Sequence, residues 1–197
     1  MPDTAPNPRE QLQAKIKHLS ISWGDFTLSS GAKSKYYFDC RLTTLDPEGA
    51  CLVGALMYDL ITAEAQRKDV AVEAVGGLTM GADPISLAVG MTSWMKNPGK
   101  QIQVFTVRKA PKAHGQTKLI EGNFRAGMQV VVIDDVVTKG DSTLKAIEAV
   151  EAAGGIVSFV AVLVDREQGG CDNIREKGYD VVSLFKRSDL IPEEALA

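Results

Sequence analysis

The chain has 197 residues, 45% of them hydrophobic and 24% charged, and a formal net charge of −3. These values suit one globular domain with a sizeable core and exclude a broadly basic nucleic-acid-binding surface. Three cysteines, Cys40, Cys51 and Cys171, lack the paired spacing of a disulfide framework or a zinc site, so reduced thiols in a cytoplasmic compartment are expected.

Residues 1–8 contain three prolines and no apolar run, which predicts a short disordered lead-in rather than a signal peptide. Residues 9–19 place Leu12, Ile16 and Leu19 at helical spacing. Residues 26–28 and 35–39 read as two short strands around Ser29-Ser30-Gly31. Pro47 opens a helix that runs to about Gln66. A strand over residues 70–75 is expected to break at Gly76-Gly77, and residues 82–94 form the next helix, with Pro84 in its first turn. Residues 102–107 alternate as a strand. Residues 108–125 are charged and show no strong periodicity. A β-branched run from Val130 ends in Asp134-Asp135, and the helix after it stops at Gly154-Gly155. Residues 156–164 form a buried strand, residues 171–177 a short helix, and residues 181–185 a last strand. No apolar run approaches a membrane span. Alternating strands and helices predict a three-layer α/β domain with a mainly parallel sheet over residues 9–197, topped by a small N-terminal hood from about 20–45.

Residues 130–143 carry the clearest chemistry. A buried strand ends in two carboxylates, then a loop with Thr138, Gly140, Ser142 and Thr143 opens a helix. Helix N-termini have unpaired N–H groups and a partial positive charge, so they attract phosphate. Two carboxylates beside a phosphate fit sugar hydroxyls or a metal held through water. A phosphorylated sugar matches both halves. The spacing fits neither a Walker loop nor a dinucleotide fingerprint. A plain capped helix after a buried strand remains the simpler alternative. A second stretch, Arg108-Lys109-Ala110-Pro111-Lys112-Ala113-His114-Gly115, puts three cations and an imidazole in one loop. Such a loop suits a diphosphate leaving group, although a solvated basic loop would look the same.

Residues 130–143 closely resemble the phosphoribosyl-diphosphate (PRPP) signature of type I phosphoribosyltransferases. The basic stretch resembles the R-K-x-x-K-x-H-G loop of orotate phosphoribosyltransferases. Three further stretches resemble the same family in order: residues 30–39 its hood, residues 76–84 its pyrophosphate loop, and residues 165–170 its base-contacting loop. The resemblance implies a type I phosphoribosyltransferase fold and Mg²⁺-dependent transfer from PRPP to orotate. It implies that Asp134 and Asp135 bind ribose hydroxyls. The PRPP segment continues through Val136 and Val137, and Thr138, Lys139, Gly140, Asp141 and Ser142 hold the 5-phosphate. Gly77, Leu78, Thr79, Met80 and Gly81 form the pyrophosphate loop. Arg108, Lys109, Lys112 and His114 close over the diphosphate, with Lys112 the leading candidate for assisting its departure. Thr138, Arg166, Tyr37 and Phe38 meet orotate. No protein side chain binds the metal directly, and a homodimer with shared sites is implied, with neither nucleic acid nor membrane as a partner. Ser29, Met80, Lys139 and Asp141 depart from residues common in the family. A phosphoribosyltransferase for another base and a non-catalytic PRPP sensor are the competing readings.

Overall fold

The computed structural model describes residues 7–27, 33–110 and 118–193. Helix α1 spans Pro8–Leu19. Asn7 caps it, its side chain accepting the Arg9 N–H at 3.0 Å, and proline takes the first turn. Asn7 and Pro8 therefore belong to the helix rather than to the expected lead-in; residues 1–6 lie outside the described residues. Strands β1 (Ile21–Thr27) and β2 (Lys33–Phe38) pair antiparallel in a sheet of their own, β1 starting well before the expected residue 26. A short helix α2 (Arg41–Thr44) follows, then the long α3 (Pro47–Lys68). Asp46 caps α3 by accepting the Gly49 N–H at 2.8 Å, and Asp69 ends it in a left-handed conformation.

The central sheet contains β3 (Ala74–Leu78), β4 (Gln103–Val107), β5 (Ile120–Gly122), β6 (Gln129–Val137), β7 (Ile156–Asp165) and β8 (Val181–Lys186). Helices α4 (Ala82–Lys96), α5 (Asp141–Ala152), α6 (Gly170–Glu176) and α7 (Arg187–Leu190) complete the element list. The strand order is β5-β4-β3-β6-β7-β8, parallel except for the β4–β5 pair. Alternate residues of β6 enter opposite layers. Val131 and Ile133 pack with Met57, Ile61 and Ile85 of α3 and α4, while Val130 and Val132 pack with Ala146 and Ile147 of α5.

The sequence misplaces β3. Gly76 and Gly77 do not break this strand but lie inside it, fully paired to β4. Their role is spatial. A Cβ on Gly76 would sit 2.3 Å from the Phe105 carbonyl oxygen, and one on Gly77 would sit 2.0 Å from that of Ile133. The edge strand β5 is also new, emerging from the segment without periodicity.

The connections wind outward in both directions from the β3–β6 pair. Successive strands run toward β5 on one side and toward β8 on the other. Such a switch point opens a crevice at the carboxyl ends of the strands. The segments following β3 and β6 are the two that carry the phosphate-loop patterns.

Candidate active site

At the end of β6, Asp134 is buried. Its Oδ2 accepts from the Ser142 hydroxyl at 2.9 Å and the Thr143 hydroxyl at 2.6 Å, and its Oδ1 accepts the Asp135 N–H at 3.0 Å. Burial pushes its carboxyl up, while these donors pull it back down. Three of a carboxylate's roughly four acceptor positions are thus taken internally. Asp134 acts first as a tie between the strand end and the start of α5. Asp135 is different. Burial, then the neighbouring Asp134 charge, push it up to about 7. Its carboxylate lies against Gly81, where an added Cβ would fall 2.3 Å from Oδ1.

The loop between β6 and α5 turns at Gly140, with φ +87°. Space is tight there, since an added Cβ would lie 2.9 Å from the Gly170 carbonyl oxygen. Val137 is buried, its carbonyl accepting the Arg166 N–H at 3.0 Å, and Val136 is half-buried. Thr138 is half-buried. Lys139 is exposed, its carbonyl accepting from Asn173 Nδ2 at 3.1 Å. Asp141 is the exposed first residue of α5, where a carboxylate favours the positive end of the helix.

On the opposite wall, Gly77 and Leu78 end β3, and Thr79, Met80 and Gly81 lead into α4. The Thr79–Met80 peptide bond is cis. Thr79 donates its N–H to the Val107 carbonyl at 2.8 Å and its hydroxyl to Asp83 at 2.5 Å, and Asp83 also accepts from Thr106. At the end of β4, the Arg108 N–H bonds the Leu119 carbonyl at 2.8 Å, and its guanidinium lies 3.7 Å from Glu121. The basic stretch thus leaves and returns at one fixed point. Lys112 and His114 lie outside the described residues, as do Ser29, Ser30 and Gly31.

The hood supplies aromatics and the β7 end supplies a cation. Tyr36 and Phe38 are buried on one face of β2, while Tyr37 faces the other way and is 44% exposed. The Arg166 guanidinium carbon stands 4.9 Å from the Tyr36 ring centroid and 5.9 Å from that of Phe38. Arg166 is buried, yet its Nε and Nη2 have no hydrogen-bond partner among the described residues. A cavity of about 250 Å³ gathers Tyr37, Phe38, residues 78–81, Lys109, residues 134–136 and Ser142. A second cleft of about 670 Å³ adjoins it, sharing Leu78, Lys109 and Ser142.

Comparison with known proteins decides what this arrangement belongs to. An orotate phosphoribosyltransferase of Aquifex aeolicus is 46% identical over 187 residues, covering 93% of this chain and 97% of the relative. One from Rhodopirellula baltica is 40% identical over 182 residues, covering 92% and 93%. The chain belongs to the orotate phosphoribosyltransferase family. It is accordingly an enzyme with the type I phosphoribosyltransferase fold. The crystal structure of the Mycobacterium tuberculosis orotate phosphoribosyltransferase with Fe(III) dicitrate aligns with a TM-score of 0.79 at 40% identity, covering 93% of this chain and 99% of that one. The same enzyme in complex with PRPP aligns with a TM-score of 0.76 at 37% identity, again covering 93% and 99%. No family model matches the chain.

Within the orotate phosphoribosyltransferase frame, the structure brings together the strand-end acids, residues 78–81, Lys109 and the aromatics of β2. Two features escaped the sequence reading. Tyr36, rather than Tyr37, carries the closest ring to Arg166; strand alternation placing Tyr36 with Phe38 was the available signal. Arg41, just after β2, also lines the cavity. Among the described residues, no group of three or more acidic, histidine or cysteine side chains is arranged to hold a metal, and no helix is long and apolar enough to cross a membrane.

Proposed function

We propose that the chain transfers the phosphoribosyl group of PRPP to orotate, giving orotidine 5′-monophosphate and diphosphate, a step of pyrimidine biosynthesis. The carrying observation is Arg166, a buried cation with two unused donor atoms beside the Tyr36 and Phe38 rings. Such a group calls for a planar acidic ligand whose oxygens fit the guanidinium fork.

The residues divide the work by position. Backbone N–H groups of 138–142 and the hydroxyl of Thr138 hold the 5-phosphate at the start of α5. Asp135, with the remaining acceptor capacity of Asp134, takes the ribose hydroxyls. Residues 77–81 and Arg108, Lys109, Lys112 and His114 surround the diphosphate. Positive charge develops at the anomeric carbon as the bond to diphosphate lengthens, and no covalent enzyme nucleophile is required. Catalysis comes from alignment and from stabilising the leaving group. Closure of the basic stretch over the site would exclude water, the competing acceptor.

The family implies Mg²⁺, and the site fits it. Asp134 and Asp135 form an adjacent all-oxygen pair at the strand end, the hard donor set that Mg²⁺ takes. Both would hold the ion through water, and when bound it neutralises charge on the diphosphate.

A homodimer completes the reading. On α4, Leu87, Met91, Trp94 and Met95 recur at helical spacing and each is more than half exposed. Met80, in the segment leading into α4, is also exposed and lines the site cavity. Free thiols at Cys40, Cys51 and Cys171 suit a reducing cytoplasm.

The test is turnover. Orotate absorbance should fall only when protein, PRPP and Mg²⁺ are all present; a flat trace with all three refutes the assignment.

A further inference from the structure

Arg41 has no assigned part in the reading above, yet it stands in the cavity wall with Thr79, Met80, Gly81 and Lys109. It follows β2 directly, at the start of α2. Asp39 grips it as a fork: Nε donates to Oδ1 at 2.8 Å and Nη2 to Oδ2 at 2.7 Å. The Arg41 backbone N–H donates to the same Oδ1 at 3.1 Å, so a single carboxylate fixes both ends of the residue. The Asp39 side chain is only 20% exposed, and that of Arg41 is 44% exposed. The fork uses the Nε and Nη2 edge of the guanidinium, so Nη1 remains to donate to a ligand.

A solvated arginine paired to a surface carboxylate contributes little to stability and disperses over many rotamers. A two-point fork does something else: it orients the planar group before any ligand arrives. The charge around the cavity makes that orientation useful. Among the described lining residues, Asp39, Asp134 and Asp135 face only Arg41 and Lys109 as cations. A highly charged anion entering such a site needs every fixed cation available.

We propose that Arg41, oriented by Asp39, binds a non-bridging oxygen of the substrate's diphosphate group. This rests on the transferase reading, but not on which base accepts the sugar. Arg41 lines one cavity with residues 78–81 and Lys109 as well as Tyr37 and Phe38, whereas Arg166 lies outside that lining, already engaged by the Tyr36 and Phe38 rings on the aromatic side. The ligand is therefore the diphosphate rather than the base carboxylate. Arg41 is a binding residue and Asp39 a positioning residue.

The experiment uses the full chain, inorganic diphosphate and Mg²⁺, with calorimetric titration and steady-state kinetics. Arg41→Gln should weaken diphosphate binding about ten-fold, the loss of one charge-assisted hydrogen bond, and raise KM for PRPP similarly. KM for orotate should stay put. Asp39→Asn keeps the cation but frees it, and should weaken diphosphate binding by a smaller factor of about three, with the melting temperature as a check on folding. Should Arg41→Gln fold poorly, Arg41→Lys supplies the same comparison, retaining charge without the fork. Diphosphate affinity unchanged in folded Arg41 variants would overturn the proposal, as would a loss confined to orotate. If the parent chain uses another base instead of orotate, the assigned function fails while the diphosphate titration still decides the role of Arg41.

Discussion

Replacing Arg166 with methionine should make the ligand-free protein more stable while removing its proposed grip on the base. The parent guanidinium is buried with Nε and Nη2 unpaired. Each unpaired buried donor costs about 1–3 kcal/mol. The contact with the Tyr36 ring at 4.9 Å returns about 1–2 kcal/mol of that. The balance is a net cost of about 2 kcal/mol in the empty site. Methionine fills similar volume without a charge, and replacing unsatisfied buried ions with apolar groups commonly stabilises. For a chain of this size, about 2 kcal/mol corresponds to a rise of roughly 4–8 °C in melting temperature. The same change removes two charge-assisted bonds to the ligand, and KM for orotate should rise about 100-fold. Differential scanning calorimetry without ligand, paired with orotate kinetics at saturating PRPP, measures both. A variant that melts below the parent and keeps its orotate KM would refute the reasoning.

Other perturbations test separate parts of the structure. Gly77→Ala, whose Cβ would lie 2.0 Å from the Ile133 carbonyl oxygen, should cost about 3 kcal/mol or more by urea unfolding. Gly99→Asn, where an added Cβ meets nothing within 4 Å and φ is +89°, should cost less than about 1 kcal/mol. Asp135 binds its proton more tightly folded than unfolded, so ligand-free stability should fall as pH rises from about 4 to about 7; Asp135→Asn should flatten that slope. If the ionised form takes sugar and metal as proposed, kcat/KM for PRPP should drop as pH falls below about 7. Met91→Glu, a charge in the middle of the exposed α4 stripe, should shift the chain to monomer in sedimentation velocity and lower activity with it.

Patterns local in the chain were legible before any coordinates. The β-branched run of β6, the acids at its end and the hydroxyl-bearing turn into α5 all lie within fourteen consecutive residues. They landed at the switch point of the sheet, where such loops collect ligands. What was not legible depended on neighbours distant in sequence. Gly76-Gly77 reads as a turn signal, and only the proximity of Phe105 and Ile133 shows that the pair is needed for space inside a strand. The three residues of β5 are too few to show a period, and pairing with β4 defines them. Asp134 looked equivalent to Asp135; the Ser142 and Thr143 hydroxyls, eight and nine residues on, give the two acids different tasks. Arg41 lies outside the matched motifs, and its fork on Asp39 exists only once β2 has ended and α2 has begun.

The inward tie of Asp134 bears on the thermodynamics of ligand capture. A turn already stitched to its strand by two hydroxyls has little conformational freedom left to surrender when a phosphate arrives. Binding a simple phosphate monoester to this turn should therefore carry a small entropic penalty. Cutting the two stitches with Ser142→Ala and Thr143→Val would transfer that ordering cost from folding to binding, leaving a loop that must be assembled anew by each substrate molecule.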